Sequence, residues 1–326
     1  MKDIQTMGLN LNNGVYYWGE VNNDWGNHYV PLGTGVYVKP DKSFNMTEYT
    51  RNENYEGLFM HRAKDYTEES YMTNIKNGKI CGPYMAFIYE KYVKFSTVNE
   101  NGKYNGFYTY CDYSDGSYII GYYDNGNLRD RGLYFKDGYL QFITFDSNNK
   151  INGYLSKIYI GSEYRFTPYR LFMMPFDKNR DIETLTYYND DCVGKVQSIA
   201  REFNGYGILR WPNGSSYFGE FMADARSGMG CYRFKEGDII IGKFYDNSIY
   251  GTAMYCYSNG GISRGHFTKG KQDGTFFDTF ADNNLIRIAR FSGSQLIGRS
   301  YYINPNDFKV MITSEEGKVL ETRYFG

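Results

Sequence analysis

The chain has 326 residues, of which 36 are Tyr, 23 Phe, 3 Trp and 37 Gly. Gly is more frequent than the usual share of about 7%, and because Gly disfavours helix interiors while aromatic residues fit strands, the composition indicates an all-β fold. The near balance of 36 basic and 37 acidic residues, with a net charge of -1, offers no positive surplus to attract a nucleic acid.

Cellular location and redox state are also indicated by the composition. The sequence has no run of about 18 apolar residues, and its N-terminus lacks the apolar core of a signal peptide. We therefore expect a cytoplasmic protein. Its cysteines are odd in number, without a Cys-x-x-Cys pair, and are predicted to be reduced core residues: Cys81, Cys111, Cys192, Cys231 and Cys256.

Residues 1–154 contain the elements of a β-hairpin repeat at irregular spacing. Asn13-Gly14 is followed by Gly19, and Asp115-Gly116 by Gly121, with aromatic residues between the glycines. Asn-Gly and Asp-Gly are typical of hairpin turns, so each element predicts a hairpin. A Gly-Lys-x-x-Gly element begins at three further positions: Gly78, Gly102 and Gly270.

Residues 155–195 depart from this pattern. The apolar run 169–175, Tyr-Arg-Leu-Phe-Met-Met-Pro, suits either a linker or an insertion that folds back on the sheet. The sequence leaves both alternatives open, and we treat 155–195 as an irregular repeat or linker segment.

Residues 196–291 contain a regular repeat of 23 residues. Five columns of residues keep this spacing, three of glycine and two of large aromatic residues. The glycine columns are Gly205, Gly228, Gly251 and Gly274; Gly214, Gly237 and Gly260; and Gly219, Gly242 and Gly265. The aromatic columns are Trp211, Phe234, Tyr257 and Phe280; and Phe221, Phe244 and Phe267. Two strands of about six residues and two turns account for such a unit.

The repeat predicts both turns and packing. We expect Asn213-Gly214 and Asn259-Gly260 to supply the positive φ angles of a tight turn, and looser turns at 223–227, 246–250 and 269–273. Glycines inside strands are predicted to leave a hollow that an aromatic ring from a neighbouring strand covers. Gly242 is one such strand glycine.

Residues 292–326 are predicted to form a C-terminal capping hairpin. Residues 308–313 and 318–325 alternate like two strands around Glu315-Glu316-Gly317. A repeat array requires a cap because its terminal unit lacks a neighbour on one side.

These residues resemble the MORN repeat family, whose unit is roughly Tyr-x-Gly-x-aromatic, Gly-x-Gly, an aromatic residue, Asp/Asn-Gly and Tyr-x-Gly. The similarity is close at 205–221, 228–244 and 251–267 and weaker at 106–123 and 13–21, and the Gly-Lys-x-x-Gly elements are similar to a variant seen in bacterial repeat proteins. The resemblance implies an elongated, twisted antiparallel sheet of successive β-hairpins, open and one layer thick. It implies a scaffold or docking surface, lipid-headgroup contact in some members, and no catalytic residue.

Candidates for catalysis or metal binding are few. The histidines lie far apart and have no His or Cys at ligand spacing, so no metal site is predicted: His28, His61 and His266. Adjacent carboxylates occur at three places, Glu68-Glu69, Asp190-Asp191 and Glu315-Glu316. Neighbours on a strand point to opposite faces and are poor acid/base partners. We predict no catalytic residue and no cofactor.

The leading functional interpretation is a noncatalytic scaffold that docks protein partners, or a second copy of itself, through a Tyr-rich sheet face. Tyr offers a large contact area and a hydrogen-bonding hydroxyl at low entropic cost, although the same tyrosines could serve only to stabilise the sheet through cross-strand packing. The runner-up is a peripheral adaptor for anionic phospholipid, implied by the resemblance but not favoured by the net charge. A carbohydrate-binding or glycoside-cleaving sheet comes third. No nucleic-acid partner is predicted.

Overall fold

The structure, a computed structural model, describes residues 5–11, 13–23, 29–51, 54–164, 171, 173–177, 181–185, 193–199, 202–281, 285–304, 306–307 and 309–324. Their regular elements are strands, which form two antiparallel sheets of successive hairpins. Within this described part, no helix is long and apolar enough to cross a bilayer.

The first sheet has 14 strands, each paired with the next along the chain except that β12 follows β10, because the short β11 pairs only with β10. The strands are β1 (Gln5–Asn10), β2 (Tyr16–Asn23), β3 (Tyr29–Val38), β4 (Phe44–Arg51), β5 (Asn54–Arg62), β6 (Ser70–Lys76), β7 (Lys79–Ile88), β8 (Tyr92–Val98), β9 (Gly106–Asp112), β10 (Tyr118–Asp124), β11 (Asn127–Leu128), β12 (Arg131–Lys136), β13 (Tyr139–Phe145) and β14 (Ile151–Tyr159).

The second sheet has 13 strands in strict chain order. They are β15 (Asp181–Leu185), β16 (Val193–Ile199), β17 (Glu202–Arg210), β18 (Ser216–Met222), β19 (Ala225–Arg233), β20 (Ile239–Tyr245), β21 (Ser248–Cys256), β22 (Ile262–Thr268), β23 (Lys271–Thr279), β24 (Ile286–Ser292), β25 (Gln295–Asn304), β26 (Lys309–Thr313) and β27 (Val319–Tyr324). β26 and β27 are the two strands of the predicted C-terminal hairpin.

The all-β fold of open, successive hairpins is confirmed, but the expectation of one layer is wrong. The inner faces of the two sheets share one hydrophobic core. Phe44 of the first sheet lies 4.9 Å from Tyr206 of the second, and Tyr118 stacks on Phe277 at 4.6 Å between ring centroids. Each sheet carries a row of large apolar residues on this face, and removing both rows from water favours a two-layer arrangement.

The segment between the sheets passes through this core. Leu171 and Met173 are buried in it, and the Arg62 Nε donates a hydrogen bond to Met173 O at 3.2 Å. Phe176 lies 6.0 Å from both Trp18 and Phe44. Of the two alternatives for the run 169–175, its described residues therefore fold back onto the sheets while they connect them; Tyr169, Arg170 and Phe172 lie outside the described residues.

A buried carboxyl group ties the second sheet to this segment. Glu220 is 1% exposed, and its Oε1 accepts a hydrogen bond from Met174 N at 3.1 Å. The Tyr206 hydroxyl lies 3.0 Å from the same oxygen and 2.5 Å from Met174 O. Burial raises the pKa of Glu220 to about 8, so this side chain is largely neutral at pH 7.

Arginines of the second sheet reach across to the first. Arg210 Nη2 donates to Thr34 Oγ1 at 3.0 Å, and Arg233 Nη1 lies 3.3 Å from a Glu48 carboxylate oxygen. Arg264 is fully buried, and its guanidinium donates to Phe107 O and Thr279 Oγ1, both at 3.4 Å. Burial lowers the pKa of Arg264 to about 10.

The Arg264→Met variant is expected to be at least as stable as the natural protein. Within the described part of the chain, Arg264 has only long hydrogen bonds, and the attraction of Asp278 does not outweigh the effect of burial on its pKa. An apolar side chain of similar length removes the cost of burying this charge. Thermal unfolding should show an equal or higher melting temperature for Arg264→Met and a clearly lower one for Arg264→Ala, which leaves a cavity. A loss of more than about 2 kcal/mol in Arg264→Met would show that the charge itself stabilises the fold.

The first glycine column lies at repeated β-bulges. Gly205, Gly228, Gly251 and Gly274 have φ angles of 124°, 98°, 84° and 92°, a left-handed region that favours glycine. Next to Gly228, the pairing shifts so that Glu220 alone faces three residues of β19. Similar shifts follow Gly242 and Gly265. Bulges increase the twist of a sheet.

The column of strand glycines marks close contacts between neighbouring strands. A Cβ at Gly219 would lie 2.6 Å from Gly230 Cα of the paired strand β19 and 2.7 Å from the hydroxyl of Tyr217, which belongs to the same strand as Gly219. A Cβ at Gly265 would lie 2.5 Å from the Phe276 ring of β23. At Gly242 the neighbour is Ala253, whose Cβ would be 2.5 Å away. The predicted ring from a neighbouring strand is therefore present at Gly265 alone of these three positions.

The assignment of tight and loose turns is wrong. The two-residue turns lie at Ala223-Asp224, Asp246-Asn247 and Lys269-Gly270, where every residue has a positive φ. The connection containing Asn213 spans 211–215, and in it only Gly214 has a positive φ, of 90°. The Asn213 side chain instead accepts hydrogen bonds from Ser215 N and Oγ at 2.9 and 2.7 Å. Asn favours such a bond to the backbone two residues on, which competes with the left-handed conformation.

Candidate functional site

The aromatic column lies along the row of turns at one end of the strands of the second sheet. Its members are Trp211, Phe234, Tyr257 and Phe280. Each residue directly follows the end of a strand, namely β17, β19, β21 and β23. The glycine column Gly214, Gly237 and Gly260 fixes this position at the first three rings, because each glycine N–H donates to the carbonyl of the aromatic residue three positions before it. The repeated turn therefore places one ring at the equivalent position of each hairpin.

Further rings lie between the column rings and beyond them, and we call the whole series the aromatic ladder. Its members are Trp211, Tyr232, Phe234, Tyr255, Tyr257, Phe280 and Tyr302. From Trp211 to Tyr257, consecutive ring centroids are 5.6, 4.7, 5.7 and 4.7 Å apart. Tyr257 is 43% exposed, and the other rings are half-buried. The ladder is thus an ordered aromatic surface that remains open to solvent.

A cleft interrupts the ladder between Tyr257 and Phe280. Tyr232 and Tyr255 are followed at the same 23-residue spacing by Asp278, whose smaller side chain leaves a cavity of about 440 Å³ between the two rings. Arg287 and Asn259 also line this cavity. The cleft is therefore a ring-sized opening with two aromatic walls.

The floor of the cleft is a closed ion pair. Asp278 Oδ2 accepts hydrogen bonds from Arg287 Nε at 2.7 Å and Nη2 at 2.6 Å, and Oδ1 accepts one from Ser263 Oγ at 2.5 Å. Burial lowers the pKa of Arg287, but the Asp278 carboxylate outweighs this effect and raises it. Because these oxygens and donors satisfy one another, the cleft presents little net charge to an occupant.

The opposite end of the ladder carries a positive charge. The Arg226 guanidinium lies over the rings of Trp211, Tyr217 and Tyr232 at 5.7, 5.6 and 5.5 Å. It donates a hydrogen bond to Asn247 O at 2.9 Å, and none of the described acidic side chains forms an ion pair with it. This end of the ladder suits a negatively charged group.

The first sheet carries a second series of rings on its outer face: Tyr55, Phe59, Tyr71, Tyr84, Tyr104 and Tyr123. Hydroxyl groups here are occupied, since Tyr84 and Tyr92 both donate to the Glu69 carboxylate, which also pairs with Lys94 at 2.5 Å. The spacing of these rings is irregular in sequence. The ladder of the second sheet is the more regular surface and is the candidate site.

Among the described residues, those considered for catalysis or metal binding do not come together. His61 Nδ1 lies 2.7 Å from Asn45 Oδ1, and burial lowers the pKa of His61 to about 4. The described residues contain no group of three or more His, Cys, Asp or Glu that could hold a metal ion. His28, Cys192 and the pair Asp190-Asp191 lie outside the described residues. The other four cysteines are buried, as predicted.

Sequence reasoning identified four ladder rings as repeat residues and missed the residues between them. Tyr232, Tyr255 and Asp278 are also spaced by 23 residues, so the same periodicity could have found them. Arg226 carries no such signal, and Arg287 shares the 23-residue spacing only with Arg264. Their place beside the rings depends on how neighbouring strands pair.

Comparisons with known proteins add no identity. No family model and no curated protein matches the chain. The TCP domain of Drosophila melanogaster SAS-4, in complex with a proline-rich motif of Ana2, is 10% identical with a TM-score of 0.21, over 61% of this chain and 84% of that chain. Kluyveromyces lactis Hsv2 is 8% identical with a TM-score of 0.15, over 75% and 96%. Apo AztD from Citrobacter koseri is 8% identical with a TM-score of 0.15, over 98% and 93%. At these TM-scores, the similarities support neither a shared fold nor a shared function.

Proposed function

We propose that the protein is a noncatalytic scaffold, built as a MORN-type hairpin array, that docks an extended segment of a partner protein along the aromatic ladder. The observation that carries this proposal is the unbroken series of half-exposed rings from Trp211 to Tyr257, followed by the cleft before Phe280. Rings held by neighbouring rings lose little conformational freedom when a partner binds, and Tyr and Trp are enriched among residues that dominate binding energy.

The spacing of the ladder favours a partner in the polyproline II conformation. Successive column rings are two strands apart, which corresponds to about 9.6 Å at the usual strand spacing. A polyproline II helix rises about 3.1 Å per residue, or about 9.3 Å for each turn of three residues. A segment that runs across the strands therefore presents every third side chain to successive rings, whereas a β-strand advances about 6.7 Å between side chains of one face.

Charge along the ladder defines the partner further. The cleft between Tyr257 and Phe280 has a closed Asp278–Arg287 pair, so an uncharged proline or aliphatic side chain suits it. Arg226 at the Trp211 end suits an acidic residue. The proposed partner segment is thus rich in proline, has an apolar residue at every third position, and carries an acidic residue at one end.

Fluorescence anisotropy with a labelled peptide tests this function. The probe is a synthetic peptide of four Leu-Pro-Pro units with two glutamates at one end, which spans about four rings. We expect saturable binding that weakens at least tenfold in Trp211→Ala and in Tyr257→Ala, because removal of a central aromatic contact costs about 1.4 kcal/mol or more.

Tyr245→Ala is the matched control, since Tyr245 is 60% exposed in the same sheet but lies outside the ladder. The control should bind the peptide as the natural protein does. A peptide with the same four leucines and eight prolines, but with the leucines at positions 1, 3, 5 and 7, should bind more weakly, because its leucines point around the whole three-residue helical turn. Absence of binding, or equal binding by the ladder variants, would contradict the proposal. Salt-sensitive binding to phosphatidylserine vesicles, or binding of cellohexaose, without peptide binding would favour a membrane adaptor or a carbohydrate-binding sheet instead.

A further inference from the structure

β27 (Val319–Tyr324) lies at the edge of the second sheet, where it pairs with β26 among the described strands. Every residue of the strand is exposed, including Val319 at 51%, Leu320 at 49% and Tyr324 at 70%. An edge strand presents unpaired backbone N–H and C=O groups, and native proteins usually protect such edges. Apolar side chains on an open edge therefore indicate a surface that can add another strand.

The charges of β27 are complementary to the same strand in reverse. When two copies of Leu320-Glu321-Thr322-Arg323-Tyr324 run antiparallel about Thr322, each Glu321 faces an Arg323 of the other copy. Leu320 then faces Tyr324, and Thr322 faces itself across a two-fold axis. Directly opposite residues in an antiparallel pair lie on the same face and in contact. Both charged pairs and both apolar pairs are thus formed at once.

We propose that two copies of this chain associate through an antiparallel β27–β27 pair centred on Thr322, which joins their second sheets into one continuous sheet. The strand that pairs with this edge is β27 of a second copy, because this self-complementary register matches the charged and the apolar contacts at the same time. A two-fold arrangement of this kind closes on itself and stops at the dimer, whereas pairing with a different edge would continue into open assemblies. This inference does not depend on the function proposed for the ladder.

The side chains are already arranged for this contact. Arg323 Nε and Nη2 donate to the Glu321 carboxylate of the same chain at 2.6 and 2.8 Å, on one face of the strand. In the dimer the two pairs become a network of four alternating charges. On the other face, Lys309 Nζ lies 5.8 Å from the Tyr324 ring centroid. The register of β27 with β26 is regular from Glu321 to Tyr324 and shifts at Leu320, so the strand geometry already suits the two charged pairs.

Size-exclusion chromatography with light scattering of the full chain tests the proposal. One strand pair buries less than the about 1,200 Å² of a standard stable interface, so we expect a concentration-dependent dimer at tens of micromolar protein. Glu321→Arg and Arg323→Glu each place like charges opposite one another and should weaken dimerisation at least tenfold. The double variant, with both substitutions, restores opposite charges and should dimerise within about threefold of the natural protein.

Circular dichroism and thermal unfolding provide the folding control, because both side chains are 46% exposed and neither variant should alter the monomer. Thr322→Lys adds two like charges at the two-fold axis and should also give a monomer. A monomer at all concentrations, a single charge variant that dimerises normally, or a double variant that remains monomeric would overturn the proposal. Scattering that grows beyond the mass of a dimer would show that a different edge is the partner.

Discussion

The Glu220→Gln variant should lose most of the decline in stability that the natural protein shows between pH 5 and pH 8. Glu220 is buried, and burial raises its pKa from 4.5 to about 8. Below pH 4.5 the side chain is protonated in both the folded and the unfolded chain, so its contribution is fully present. As the pH rises through this window, the unfolded chain releases the proton while the folded chain retains it. Stability is therefore lost by about 1.4 kcal/mol per pH unit up to pH 8.

The hydrogen bonds around Glu220 agree with a neutral side chain. The Tyr206 hydroxyl lies 2.5 Å from Met174 O and 3.0 Å from Glu220 Oε1. A hydroxyl has one proton, so it cannot donate to both oxygens. A proton on Glu220 completes the set, because the carboxyl can then donate to the Tyr206 oxygen. Gln cannot lose a proton, so it removes the pH dependence. Its NH2 group cannot both donate to Tyr206 and accept the Met174 N–H that Glu220 Oε1 accepts, so Glu220→Gln should lose one hydrogen bond at every pH.

Urea unfolding at a series of pH values measures this effect. The slope of unfolding free energy against pH should be strongly negative between pH 5 and pH 8 in the natural protein and much flatter in Glu220→Gln. Glu20→Gln is the matched control. Glu20 lies at a shift in strand pairing of the first sheet, as Glu220 does in the second, and its carboxylate accepts a hydrogen bond from Thr34 N at 2.8 Å. Equal slopes in the natural protein and Glu220→Gln would show that Glu220 is ionised in the folded state.

Gly242→Val should destabilise the fold more than Gly270→Val by at least about 2 kcal/mol. A side chain at Gly242 would begin 2.5 Å from Ala253 Cβ, 2.8 Å from Ala253 Cα and 2.8 Å from Thr252 O. Two of these atoms belong to the backbone of the paired strand, so the strands themselves would have to separate. Overpacking of this kind costs about 1–3 kcal/mol when side chains can adjust, and more when the backbone must move.

Gly270 provides the comparison because a Cβ there meets nothing within 4 Å. Its φ of 78° lies in the left-handed region, so Val at this turn is strained by about 1–2 kcal/mol without a packing clash. Thermal melts of the two variants separate these effects. Equal shifts in melting temperature would show that the close approach of neighbouring strands at Gly242 costs no more than the backbone strain at Gly270 and would contradict the packing role of the strand glycines.

The hairpin order of the second sheet could be predicted because its causes are local. A repeat of 23 residues positions the glycines, and the aromatic column at Trp211, Phe234, Tyr257 and Phe280 marks the same point of each unit. Strands that pair through short turns are close in sequence, so their pairing can be predicted from the sequence pattern. The β26–β27 hairpin was predicted for the same reason. The turn types were not predicted correctly. Asn213 has no left-handed backbone, and its side chain instead accepts a hydrogen bond from Ser215 N.

The candidate site shows where this reasoning ends. The sequence identified the column rings of the ladder. It did not show that Tyr232 and Tyr255 join these rings into a ladder, or that Asp278 opens the cleft. These contacts depend on the register and twist of paired strands. A period in the sequence shows that positions are equivalent, and it does not show which side of the sheet faces water.

The sequence by itself determined the all-β hairpin array, its 23-residue period and the residues at its turns and close contacts, because these depend on neighbours along the chain. Only the tertiary structure decided that the array divides into two sheets that bury one face of each against the other. The contacts that join them, such as Phe44 with Tyr206 and Tyr118 with Phe277, link residues more than a hundred positions apart. Local periodicity does not predict such pairs. The packing of the two sheets buries Glu220, which raises its pKa, and leaves the ladder exposed.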